Sequence, residues 1–153
     1  MLIDELKAII PSKYNKFDKL KSGDPYHFES WHRDKDGNEC LYYWFCSKDK
    51  LKKNYKRIVI SEIENLLRDN VNQKIINRSN FEKHCPITLS EGSCGYAVTA
   101  RLLEYLGIAK YQGQSGIQLI NKNPNINLIS KIIKLIYIVN KWLMKILKRG
   151  MHT

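Results

Sequence analysis

Residues 58–120 read, in order, as helix, short strand, helix, helix and two-stranded hairpin, and that order leaves few architectures open. Ile58-Val-Ile-Ser-Glu-Ile-Glu-Asn-Leu-Leu-Arg-Asp69 places Ile58, Ile63, Leu66 and Leu67 near one face at helical spacing, which predicts a helix with one buried side. Lys74-Ile75-Ile76-Asn77 is short and β-branched and reads as a strand. Ser79-Asn80-Phe81-Glu82 has the form of a capping box. Its serine oxygen would accept the backbone N–H at the third helical position while the glutamate reaches back to the cap, so a short helix starts there. Pro86 interrupts the chain, and Ser93 is placed to cap a further helix from Cys94 to Leu106. That helix carries Ala97, Val98, Leu102, Leu103 and Leu106, with Gly107 as its stop. Ile108–Tyr111 and Ile117–Ile120 flank Gly113-Gln-Ser-Gly116 as a hairpin.

This order resembles a winged helix-turn-helix, at the level of topology. In that family the second helix of the pair enters the major groove and the hairpin loop, the wing, touches phosphate or the minor groove. The resemblance implies duplex DNA as partner. Carried over by position, Gly95, Tyr96, Thr99 and Arg101 fall on the exposed side of the reading helix, and Gln112, Gln114 and Ser115 on the wing. The sequence departs from the usual pattern in having only Arg101 as a cation on that helix, with Glu104 beside it, whereas base and phosphate contact recruits several Lys, Arg, Asn or Gln side chains. The same module used for protein contact therefore stays open.

Charge supports a polyanionic partner. Twenty-six Lys and Arg against 15 Asp and Glu give a formal net charge of +11, which favours nucleic acid or an anionic membrane surface. A Lys-, Ile- and Asn-rich background would give the same surplus with no such partner. The opening Met-Leu-Ile-Asp-Glu-Leu has acids where a signal peptide carries positive charge, which predicts a cytoplasmic protein. In a reducing compartment Cys40, Cys46, Cys85 and Cys94 act as small hydrophobes rather than bridges. Their spacings exceed those of a structural zinc knuckle, so neither metal nor cofactor is expected.

Ahead of the helical module, Leu2–Ile10 reads as a short helix stopped by Pro11, and Tyr14–Pro25 as a polar loop. Tyr26-His-Phe-Glu-Ser-Trp-His-Arg33 and Glu39-Cys-Leu-Tyr-Tyr-Trp-Phe45 are aromatic runs around Asp34-Lys-Asp-Gly-Asn38, a strand pair with its turn. Strict alternation puts Tyr26, Phe28 and Ser30 on one side and His27, Glu29, Trp31 and Arg33 on the other. Aromatics on a small sheet with cations nearby form the platform on which single-stranded nucleic acid stacks. Because Tyr42, Tyr43, Trp44 and Phe45 are contiguous, a hairpin sandwiched in a core explains them as well, and core packing is the favoured reading. Ser47–Arg57 then reads as a basic linker. Lys52, Lys53, Lys56 and Arg57, leading straight into the first helix, are candidate phosphate contacts.

From Asn127 to Arg149 a narrow lysine stripe faces a broad apolar arc, an amphipathic helix. Lys131, Lys134 and Lys141 interrupt the run too often for a transmembrane span. Pairing of two copies through Ile132, Ile136, Val139 and Leu143 is the preferred use of that arc, ahead of packing within the chain and of association with a membrane surface. Two enzyme readings compete weakly. Gly92-Ser93-Cys94-Gly95 at a helix start resembles the nucleophile segment of papain-type peptidases, but only His152 follows it. Asp24, Glu29, Asp34, Asp36 and Glu39 gather near His27 and His32 as a metal-dependent nuclease would need, without an acid–any residue–Lys step. No catalytic residue is assigned. The sequence thus describes an α+β protein with an aromatic N-terminal hairpin region and basic linker (1–57), a winged-helix-like module (58–121) and a basic amphipathic C-terminal helix (122–153). It reads as a dimeric duplex-DNA-binding regulator or recognition subunit, with a protein-interaction or membrane-surface adaptor as the alternative.

Overall fold

The computed structural model describes residues 1–120. They form α1 (Leu2–Ile9), β1 (Lys16–Phe17), β2 (Tyr26–Arg33), β3 (Glu39–Cys46), β4 (Lys53–Val59), α2 (Ile60–Asp69), β5 (Ile75–Ile76), α3 (Arg78–His84), α4 (Pro86–Ser90), α5 (Cys94–Tyr105), β6 (Ala109–Tyr111) and β7 (Ile117–Leu119). The fold is α+β. An antiparallel sheet ordered β1-β2-β3-β4 stands beside a smaller one ordered β5-β7-β6. The helix predicted over 122–153, with the pairing positions Ile132, Ile136, Val139 and Leu143, lies outside the described residues.

The β2–β3 hairpin forms where the sequence turns. Gly37 adopts φ +82, and the Asp34 carboxylate accepts the backbone N–H groups of Asp36 and Asn38 at 3.0 and 2.9 Å. The stretch from Lys53 differs from its predicted reading. It pairs residue for residue with β3, from Cys46↔Lys53 to Cys40↔Val59, so the second half of the basic linker is a strand at the sheet edge. Lysines are tolerated there because an edge strand keeps one side in water. Ile58 and Val59 end that strand, and the helix expected from Ile58 begins at Ile60. The division expected at residue 57 thus falls inside β4, and residues Met1–Ile120 make up one unit.

One core joins both parts. Tyr43, Leu41 and Phe17 of the large sheet meet Leu6 of α1, Ile63 and Leu66 of α2, Phe81 of α3 and Val98 and Leu102 of α5, all without solvent exposure. Each such side chain contributes roughly 1.5–3 kcal/mol by leaving water. Buried polar groups tie the helices to the sheet edge. The Glu62 carboxylate accepts the N–H groups of Ile87 and Thr88 in the first turn of α4, and the Thr88 hydroxyl accepts the N–H of Val59. The capping box of α3 is present two residues earlier than predicted, with Asn77 and Asn80 as its partners instead of Ser79 and Glu82. Gly116 has φ +107 and lies so close to β5 that a Cβ there would stand 2.5 Å from the Ile76 carbonyl oxygen. Among the described residues no helix is long and apolar enough to cross a membrane.

Candidate nucleic-acid interface

Pleating gives the large sheet an inner face towards the helices and an outer face away from them. Register assigns Tyr26, Phe28, Leu41, Tyr43, Phe45, Lys56 and Ile58 to the inner face. It assigns Lys16, His27, Trp44 and Tyr55 to one row of the outer face, and Ser30, Tyr42 and Arg57 to the next. The pairing slips by one residue between Phe28 and Ser30, a bulge at Glu29. Beyond it the predicted alternation reverses. Trp31 turns inward, where its indole N–H donates to the Ile10 carbonyl at 3.0 Å, while Ser30 and His32 join the outer face.

The outer face carries stacked rings and cations. The His27 imidazole lies on the Trp44 ring at 4.1 Å between centres and 10° between planes, and His32 lies on Tyr42 at 3.9 Å and 11°. Lys53, on the strand flanking β3 on the opposite side from His27, holds its ammonium 4.1 Å from the Trp44 ring centre. Tyr55 is 53 % exposed, and Trp44 and Tyr42 are half-buried. Burial lowers the pKa of His27, and the charges of Lys16 and Lys53 lower it further against the opposing pull of Asp24. Towards α4 the face closes, for Cys40 and Val59 are fully buried. Arg57 is held there by Glu91 at 3.2 Å and by Asp34 at 3.8 Å.

The residues predicted to touch DNA are not brought together. Lys53 is in the ring stack, Lys52 is exposed beside it, and Arg57 is engaged in ion pairs. Lys56 faces the other side of β4, in a cleft of about 390 Å³ shared with Lys19, Tyr26, Phe45, Glu91 and Cys94. Gln112 and Gln114 are exposed on the β6–β7 connection, where the Gln112 amide donates to Gln118. The expected exposed side of α5 is corrected: Tyr96 is 6 % exposed and Thr99 is fully buried. Tyr96 packs edge-on against Phe81 of α3 at 5.2 Å, with the Arg78 guanidinium over its ring, and the chain before β2 covers the opposite side of α5. Arg101 donates to the carbonyl oxygens of Asp18 and Lys19, the Tyr105 hydroxyl donates to the Lys16 carbonyl, and the Tyr14 and Tyr105 rings stack at 3.9 Å.

Neither enzyme constellation assembles among the described residues. The Cys94 thiol accepts a hydrogen bond from the Tyr43 hydroxyl, whose proton is held by burial far above the usual phenol range, and no histidine lines the cleft. His84 sits instead against Asp69. Asp34 and Glu39 are taken up by the turn and by Arg33 and Lys7, and among the described residues no group of His, Cys, Asp and Glu side chains is placed to hold a metal ion. Comparison with protein-family models, with curated proteins and with solved structures found no match.

Proposed function

We propose that the chain binds single-stranded nucleic acid on the outer face of its four-stranded sheet. The observation that carries this reading is the Trp44 ring, sandwiched between an imidazole and an ammonium on a surface that is open beside it. Every base has a π-face, and stacking on an aromatic side chain contributes about 1–3 kcal/mol per base without sequence readout. A base arriving over Trp44 displaces the Lys53 ammonium, which is then free to pair with the adjacent phosphate. Lys16 and Lys52 supply further charge, and the net +11 draws the polyanion in. The test is fluorescence anisotropy with labelled single strands and blunt duplexes of equal length. Tighter binding of the single strand, weakened by Trp44→Ala, supports the proposal; equal binding of both by the variant and the wild type rejects it.

A duplex-binding regulator of winged-helix type is the second reading. It is favoured by the element order α2, β5, α3, α4, α5, β6, β7 with its β5-β7-β6 sheet, and by the exposed Gln112 and Gln114. With α5 enclosed, that reading rests on the β6–β7 connection, and Gln112→Ala with Gln114→Ala is the pair of changes that would abolish duplex binding.

A further inference from the structure

The β3–β4 connection holds the most exposed large apolar side chain among the described residues, Leu51 at 86 %. Single exposed apolar residues are ordinary on protein surfaces. The setting of this one is not. Its backbone is fixed: Ser47 N–H donates to the Lys52 carbonyl and Lys50 N–H to the Ser47 carbonyl, both at 2.8 Å. Leu51 N–H donates to the Asp49 carboxylate at 3.1 Å, Lys52 N–H to the Ser47 hydroxyl at 3.1 Å, and the Ser47 hydroxyl to Asp49. Lys50 takes φ +59 to complete the turn. The tip thus presents an isobutyl group with its backbone already ordered, among the exposed ammoniums of Lys48, Lys50, Lys52 and Lys53. Lys53 is shared with the Trp44 stack, so the tip and the stacking face are continuous.

An apolar side chain set among cations is the combination that proteins insert against base steps, where the apolar group replaces a stacking neighbour and the cations hold the flanking phosphates. A lipid surface would ask for a wider apolar area than one leucine supplies. We infer that Leu51 packs on the terminal base pair of a duplex while the outer sheet face holds the strand that continues from it, so that the preferred ligand is a junction between double- and single-stranded nucleic acid. This inference rests on the single-strand reading of the sheet face.

The experiment compares the full chain on a single strand, a blunt duplex, a duplex with a single-stranded tail and vesicles of anionic lipid, with 2-aminopurine in the terminal pair of the tailed duplex. The expected result is a preference of about tenfold for the tailed duplex over the single strand, the range one stacking contact supplies. A rise in 2-aminopurine emission accompanies it. Leu51→Ala removes both and leaves single-strand affinity and thermal unfolding unchanged, whereas Leu51→Phe retains the preference. A preference that survives in Leu51→Ala overturns the inference, as does vesicle binding that alone depends on Leu51. Single-strand binding with no preference for the tailed duplex defeats the junction and spares the sheet face; no binding of the single strand defeats the sheet face itself.

Discussion

The two faces of the four-stranded sheet draw on the same kinds of ring and use them in opposite ways. On the inner face Tyr26 meets Tyr43 and Phe45 edge-on at 5.7 and 5.6 Å, and these rings pack into a cluster with leucines and isoleucines of the helices. On the outer face His27 and Trp44, and His32 and Tyr42, stack plane on plane beside Lys53. Aromatic content is therefore a poor guide to what a sheet does. Company decides: rings among aliphatic side chains hold the fold together, and rings among imidazoles and ammoniums present a surface to something flat and negatively charged.

Truncating one ring from each face puts that contrast to its most severe test. Tyr43→Ala is expected to cost about 3–5 kcal/mol of unfolding free energy, the range for removing a buried aromatic ring, and it also strands the Cys94 thiol without its donor. Trp44→Ala is expected to cost about 1 kcal/mol, the order of one cross-strand aromatic pair. Urea denaturation reads both, and equal losses would mean that the faces do not differ in role. Affinity probes the same difference from the other side. Trp44→Ala should weaken single-strand binding by about 1–3 kcal/mol, while Phe45→Leu, a change on the inner face, leaves the anisotropy titration where it was.

Smaller effects come from charge. Lys16→Glu with Lys53→Glu should lower the slope of log affinity against log salt by about 0.7 for each phosphate no longer neutralised, and an unchanged slope would take those lysines out of the interface. The least effect is expected from acid. Because the pKa of His27 is lowered in the fold, the unfolded chain takes up that proton first, and stability falls as pH drops below about 6.5. A bound phosphate acts in the other direction by raising the same pKa, so single-strand affinity increases over that window. His27→Phe should flatten both trends between about pH 7.5 and pH 5.5, measured by thermal unfolding and by anisotropy.

Local signals are readable in the sequence where partners are near in the chain. Asp36-Gly37 marks the hairpin turn, Gly107 with φ +71 stands just past α5, and Gly113 and Gly116 bound the β6–β7 connection. Distant partners are not legible. Arg101 on a helix drawn alone has only Glu104 as a partner, yet it also donates to carbonyl oxygens that lie 83 and 82 positions earlier, at Asp18 and Lys19. Lys53–Val59 hides its strand behind charge. Asn54-Tyr-Lys-Arg-Ile-Val59 does not alternate polar with apolar residues, and only an edge position reconciles a strand with so many cations. Of the candidate site, charge alone points to Lys53, whereas the sequence pattern assigns the hairpin with His27 and Trp44 to a core and leaves Tyr55 in a basic linker. The run Tyr42 to Phe45 does not tell which parity the helices cover.

The bulge at Glu29 sets that parity for half of β2. With Phe28 opposite Tyr43 and Ser30 opposite Tyr42, Glu29 is the surplus residue: pairing it with Tyr42 in a regular ladder would turn Trp31 out and His32 in, whereas a chain without it would keep both faces as they are. Point substitution adjusts one surface at a time, whereas loss of the bulge at constant length rewrites both. The surplus residue is thus itself heritable information, and deletion of Glu29 should be tolerated about as well as replacement of its exposed side chain, while insertion of a further residue between Phe28 and Ser30 should not.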